Sequence, residues 1–341
     1  MVEWGMLLAP LLVAAVNAAP VCRIADKRMD ELSGLVTTAD GYVVVNDGSD
    51  EASHRRIFYL RKDCSVARAV SYPSRPRDTE DLQLGRDGIL WVADIGDNGR
   101  SRDTIALWRL TPGSSKPQLL RMSYPDGAHD AEALLITAEG SPIVVTKEPG
   151  AAGIYVPDGG LRATGTTRLK RAGDVSVPFT STSNPFSLAG RLLITGAATS
   201  PDGSRVVLRT YADAFEYDVP GGDVVKALVS GTPRQIPLPD EPQGESVAYT
   251  TDGTALLTVS EGAKPPILRH PLPDTPATPR SPASSTADQA APSAAVPPAA
   301  AEAVRATPKS SSSRLPLVLL LIAATALCLA AAIAAARRRK R

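Results

Sequence analysis

Residues 80–94 read Glu80-Asp81-Leu82-Gln83-Leu84-Gly85-Arg86-Asp87-Gly88-Ile89-Leu90-Trp91-Val92-Ala93-Asp94. An acidic residue opens the stretch, an apolar residue follows two later, Asp-Gly stands at +7 and +8, and an apolar run closes it. Asp-Gly tolerates the positive φ of a tight hairpin turn, and the short apolar runs on either side read as its two strands. The frame recurs. Ser33-Gly34-Leu35 leads to Asp40-Gly41 and YVVVND, and Glu132-Ala133-Leu134 leads to Glu139-Gly140 and SPIVVTKE. Thr195-Gly196-Ala197 leads to Asp202-Gly203 and SRVVLRT, and Glu245-Ser246-Val247 leads to Asp252-Gly253 and TALLTVSE. The frames start at 33, 80, 132, 195 and 245, spacings of 47, 52, 63 and 50 residues.

Two more strand-like pieces follow each hairpin, such as 104–111 and 116–125, then 153–157 and 161–169. Four strands per ~50 residues is the signature of a β-propeller blade. A β-sandwich would not place an equal-register frame at a fixed period. The expected fold is therefore all-β: a β-propeller of five or six four-stranded blades, the long third spacing leaving room for a sixth. Thirty prolines and 26 glycines in 341 residues also argue against long helical bundles.

Both ends read as address labels. Met6 to Val16 is an apolar run, and Val16-Asn17-Ala18 offers small residues for a cut, so residues 1–18 are expected to be an export signal, although no Lys or Arg stands near Met1. Leu315 to Ala336 carries no charge over 22 residues, enough at ~1.5 Å per residue to cross the roughly 30 Å hydrocarbon layer. Arg337 to Arg341 follows at once, and positive charge stays cytoplasmic. The expectation is one C-terminal transmembrane helix, a five-residue cytoplasmic tail and a body, residues 20–270, outside. Residues 271–314, with nine prolines among Ala, Ser and Thr, read as a semi-extended stalk that cannot bury enough apolar surface to fold.

A propeller ring must close, and residues 21–24 are placed to complete the last blade beside residues 266–269. Cys22 and Cys64 are the two cysteines outside the expected membrane span. Export puts them in an oxidising compartment. A Cys22–Cys64 disulfide latching the last blade to the first is expected, worth roughly 3–4 kcal/mol for a ~40-residue loop by the chain-entropy argument.

The net charge is +1, from 37 basic and 36 acidic residues, which excludes a nucleic-acid binder working by bulk positive charge. The repeat frame also makes a spatial prediction. Glu80, Glu132 and Glu245 share one register at the start of innermost strands, while Asp47, Asp94, Glu148 and Glu261 stand just after second strands. Asp97 and Asp130 are close to this set. All should gather at one mouth of the channel. Three carboxylates at ~8 Å repel by roughly 0.5–2 kcal/mol per pair, so a divalent cation, raised pKa values or basic neighbours should offset them. Ca²⁺ suits carboxylate oxygens. Lys147 and Arg209, at second-strand ends, are the candidate basic neighbours and ligand contacts. The alternative is that the acids cap turns and tie blades together.

Asp94-Ile95-Gly96-Asp97-Asn98 makes a tight polar turn, without the spacing of an EF-hand loop. His129, beside Asp130 and Glu132, reads as a general base or as a hydrogen-bonded structural histidine. The sequence holds no zinc-ligand spacing, no G-x-S-x-G elbow and no phosphate-binding Gly loop.

Several motifs occur in order: Glu31-Leu32-Ser33-Gly34-Leu35, Thr79-Glu80-Asp81-Leu82, Trp91-Val92-Ala93-Asp94-Ile95-Gly96-Asp97-Asn98, Asp130-Ala131-Glu132-Ala133-Leu134 and Gln243-Gly244-Glu245-Ser246. Over residues 22–270 the chain resembles a group of exported or membrane-anchored bacterial β-propellers, common in actinobacteria and distantly similar to phytase-like and NHL/YVTN propellers. The resemblance implies a propeller and allows a calcium-dependent, phosphatase-like ancestry. It assigns no catalytic residue. The favoured reading is an extracytoplasmic module whose acidic mouth binds a metal, a small ligand or a protein partner. The alternatives are a metal-dependent phosphoester or ester hydrolase, which would need a more basic cradle than this mouth offers, and a purely structural envelope protein.

Overall fold

The computed structural model describes residues 18–273. The expected export signal, stalk, membrane span and tail lie outside the described residues, apart from 18 and 271–273. Among the described residues no helix is long and apolar enough to cross a membrane.

The described residues open with β1 (Ala19–Arg23) and then build five four-stranded units. Blade I is β2 (Leu32–Thr38), β3 (Gly41–Asn46), β4 (Arg56–Arg61) and β5 (Val66–Ser71). Blade II is β6 (Asp81–Leu84), β7 (Leu90–Asp94), β8 (Ile105–Leu110) and β9 (Gln118–Ser123). Blade III is β10 (Ala131–Ile136), β11 (Pro142–Thr146), β12 (Ala152–Pro157) and β13 (Thr166–Val175). Blade IV is β14 (Ile194–Thr199), β15 (Arg205–Thr210), β16 (Asp213–Asp218) and β17 (Arg234–Pro237). Blade V is β18 (Gly244–Tyr249), β19 (Ala255–Ser260) and β20 (Pro266–Pro271), completed by β1, which pairs antiparallel with β20. The first strands neighbour one another in a closed cycle, β2 to β6 to β10 to β14 to β18 and back to β2. This is a five-bladed propeller. The long third spacing holds the ten-residue β13 and the connection 176–193, not a sixth blade.

The turns explain the periodicity. Gly88, Gly140, Gly203 and Gly253 have φ between 67° and 79°, a region closed to most side chains. The residue ahead caps the turn in three of them: Asp87, Asp202 and Asp252 each accept from the backbone N–H two residues on, at 3.0–3.1 Å. One apolar cluster fills each of the five seams between blades. The seam between blades I and II, for instance, packs Val36, Val43 and Ile57 against Leu82, Val92 and Trp108. Blades II and III are also joined at their outer edges, where β13 pairs parallel with β9.

The ring closes as expected. Cys22 and Cys64 form a disulfide with 5.8 Å between Cα atoms, and both sit in the seam cluster of blades V and I. Leu272 packs on the seam of blades IV and V and its N–H donates to Thr254 O at 2.9 Å, so the folded body runs past residue 270. Inside the ring, Asp81 and Gln83 cross the channel. Asp81 Oδ2 accepts from the N–H groups of Leu134 and Ala197 at 2.8 and 3.3 Å, and Gln83 Nε2 donates to Ala197 O at 2.8 Å.

Candidate functional site

One local device aims the site. In blades I, III, IV and V the pairing of first and second strands slips by one residue, and the extra residue is Ser33, Glu132, Thr195 or Glu245. Such bulges re-aim a side chain and are common beside sites. Glu80 holds the same position in blade II, its N–H donating to Ala93 O at 2.8 Å. These five residues form an inner ring at the top of the channel, and all are buried. Two residues after the position paired with Gly34, Asp81, Ala133, Gly196 or Ser246 stand Asp47, Ile95, Lys147, Tyr211 and Glu261. Together the two sets make an acidic cup, except that Ile95 packs in the apolar seam of blades II and III.

The hydroxyl members of the inner ring join blades. Ser33 Oγ donates to Glu80 O at 2.5 Å, and Thr195 Oγ1 donates to Gly244 O at 3.2 Å. The three glutamates differ. Each leaves one buried oxygen without a partner: Glu80 Oε1, Glu132 Oε2 and Glu245 Oε2. A buried polar atom left so is costly, and each such case in a native protein asks for an explanation.

On the side of blades I and II, one oxygen each from Asp47, Asp78 and Glu80 lie within 4.8 Å of one another. A hard cation with bonds of about 2.3–2.6 Å spans that separation. Burial, reinforced by Asp47 and Glu132, holds the Glu80 carboxyl well above the usual carboxylate range. Gly96 makes room: a Cβ there would overlap Glu80 Oε1 and Asp78 Oδ2. Gly48 is packed in the same way against Asp78.

On the side of blades III to V a basic side chain is built in. Lys147 Nζ is ion-paired with Glu132 Oε1 and donates to Tyr211 OH at 3.1 Å. Tyr211 OH in turn donates to Glu245 Oε1 at 3.5 Å. Gln243 Nε2 donates to Glu245 Oε1 at 2.9 Å and Glu261 Oε1 at 2.6 Å. Burial works against the Lys147 ammonium, but Glu132, Tyr211 and Glu245 outweigh it and hold its pKa well above the ordinary lysine value.

Other expected mouth residues serve the scaffold. Asp94 accepts from the N–H groups of Arg77 and Asp78 at 3.1 and 3.0 Å and pairs with Arg102 at 2.9 Å. Its register also carries Asn46, Thr146, Thr210 and Ser260, all of which bond backbone groups. Asp97 caps the N–H groups of Ser101 and Arg102 at 2.8 Å, and Asp130 Oδ1 accepts from Asp97 N–H at 2.9 Å. His129 sits in a rim network, with Nδ1 2.8 Å from Glu148 Oε1 and Nε2 3.1 Å from Asp126 Oδ1 and 3.0 Å from Tyr155 OH. No substrate-facing nitrogen is left on it, which favours the structural reading over a general base. Glu148 is committed there, away from Asp47, Asp78 and Glu80.

Arg209 is corrected outright. It is 0% exposed and occupies the register where the other blades have Val45, Ala93, Val145 and Val259. From that seam position it ties blade IV to blade V, paired with Glu241 and donating to Ser246 O at 2.5 Å. The sequence reading missed Asp78 and Tyr211. A signal for Asp78 existed: two residues before each inner-ring position stand Glu31, Asp78, Asp130 and Gln243, with Leu193 as the exception.

No family model and no curated protein matches the chain. Among solved structures it is similar to a streptogramin B lyase, with 14% identity over 70% of this chain and 65% of that one and a TM-score of 0.35. It is also similar to a gluconolactonase from Xanthomonas campestris, with 16% identity, coverage of 70% and 72% and a TM-score of 0.41. A virginiamycin B lyase from Staphylococcus aureus gives 13% identity, coverage of 70% and 66% and a TM-score of 0.36. These are propeller-type proteins. The chain spans just under two thirds of the length of the two lyases. The propeller assignment itself rests on the closed cycle of first strands.

Proposed function

We propose that the protein is a membrane-anchored, extracytoplasmic β-propeller that binds a divalent cation, Ca²⁺ by ligand chemistry, through Asp47, Asp78 and Glu80, and presents it to a ligand or protein partner outside the cell membrane. The observation that carries the reading is Glu80 Oε1, buried and unpartnered within a trio of carboxylates spaced for a hard cation. Anchoring rests on the sequence of residues 315–341, and kinship with exported actinobacterial propellers rests on the motifs quoted above. The body's geometry supports display. Pro271 pairs with Ala255, at the end of β19 far from Ser260 and the cup, so the described chain leaves on the face opposite the acids.

Binding is favoured over phosphoester hydrolysis because the expected phosphate-holding cations are committed. Lys147 is held by Glu132 and Tyr211, and Arg209 is sealed between blades. The test is thermal unfolding of the full chain in mild detergent, first in EDTA and then in Ca²⁺. At a hundredfold excess over Kd the expected rise in Tm is roughly 5–10 °C. In Glu80→Gln the rise should shrink sharply at the same Ca²⁺ concentration. Identical curves with and without Ca²⁺ would sink the reading.

A further inference from the structure

We infer that Lys147 stands, as a tethered ammonium, in the place of a second cation, and that it restricts the cup to one divalent ion. Glu132 and Glu245 are 1% and 0% exposed, and each has one oxygen on a partner and one on none. The ammonium lies between them in a continuous chain, Glu132 to Lys147 to Tyr211 OH to Glu245. Glu132 and Glu245 also lie within each other's electrostatic reach. Remove the ammonium, and two electrostatically coupled buried carboxylates each keep an unpartnered oxygen with no positive charge beside them. Such a pair takes up a cation or destabilises the fold.

The position just after the second strand, held by Lys147 in blade III, shows what is particular here. That position is Asp47, Ile95, Tyr211 and Glu261 in the other blades and basic only in blade III. A latent cation site thus exists in the half of the cup that already contains its own positive charge. For the first ion this rests on the divalent-cation reading above. For the second it rests on Glu132, Glu245 and Lys147 alone, so the two can fail separately.

The experiment counts Ca²⁺ bound per full-length chain by calorimetric titration, for the wild type, Lys147→Met and Lys147→Met/Glu245→Gln. Met keeps the unbranched length and removes the charge. The expected counts are one, two and one. A count of one for both wild type and Lys147→Met would overturn the inference while leaving the first site standing. Counts of zero and one would support the tethered cation and remove the Asp47–Asp78–Glu80 site. If Lys147→Met unfolds in EDTA, folding on addition of Ca²⁺ is the expected result. Failure to fold even in saturating Ca²⁺ would overturn the inference, since no free cation would then replace the ammonium.

Discussion

In blades I and II the cup is built from Ser33, Asp47, Asp78 and Glu80; in blades III to V it is built from Glu132, Lys147, Thr195, Tyr211, Glu245 and Glu261. Both halves use the same bulged inner position and the same position after the second strand. They differ in how buried negative charge is offset. Blades III to V carry an ammonium bonded to Glu132 and Tyr211. Blades I and II carry Asp47 and Ile95 at that register, and Glu80 Oε1 remains unpartnered among acids. One scaffold thus permits two solutions, a cation supplied by the chain and a space fitted to a cation from outside.

The largest effect is expected where the internal cation is lost. Lys147→Met should cost about 3–5 kcal/mol in EDTA, the usual result of breaking one side of a buried pair, read as a lower urea midpoint. Ca²⁺ should recover part of it; an equal loss with and without Ca²⁺ would break the comparison. Cys64→Ser, which unlatches blade V from blade I, should cost roughly 3–4 kcal/mol with or without Ca²⁺. If reductant leaves the wild-type Tm unchanged, the latch contributes nothing.

A pH titration separates the cup from the seam behind it. His270, buried and close to Arg209, has its pKa pushed down to about 4 by burial and then by that guanidinium. Between about pH 6.5 and 4 the unfolded histidine binds a proton that the folded one refuses, so stability falls as pH drops through that window. The loss amounts to about 3 kcal/mol. His270→Gln should flatten this segment of the curve, with Ca²⁺ affinity at neutral pH unchanged. An unaltered curve would place the acid sensitivity elsewhere. The smallest effect on stability, and the sharpest on binding, belongs to Gly96→Ala. A methyl there overlaps Glu80 Oε1 and Asp78 Oδ2, so Ca²⁺ affinity should drop on the order of tenfold or more, with urea midpoints in EDTA nearly equal. Unchanged affinity would separate Gly96 from the ion.

The sequence made the repeat legible because Asp-Gly or Glu-Gly turns recur, and in four of the five the glycine takes the same left-handed backbone. The blade count stayed open at the third spacing, since a ten-residue strand and a long connection carry no turn signal that distinguishes them from a short blade. Glu80, Glu132 and Glu245 could be placed together because register alone decides where a bulged residue points. Arg209 was misplaced because strand faces alternate, and position within a strand end matters to a single residue. The sequence alone marks Asp94 as a candidate ligand, yet its register holds a polar backbone cap in every blade. Tyr211 escaped because its type does not repeat at its position, and Asp78 because the acidic residue two before the inner ring, seen again as Glu31 and Asp130, gains its role only when ring closure brings Asp47 beside it.

The central claim is tested most directly by locating a bound ion through anomalous diffraction from crystals of the protein grown in Ca²⁺. The account predicts one peak with oxygens of Asp47, Asp78 and Glu80 at about 2.3–2.6 Å, and none beside Lys147. A peak between Glu132 and Glu245, or a cup without any ion at saturating Ca²⁺, would contradict it.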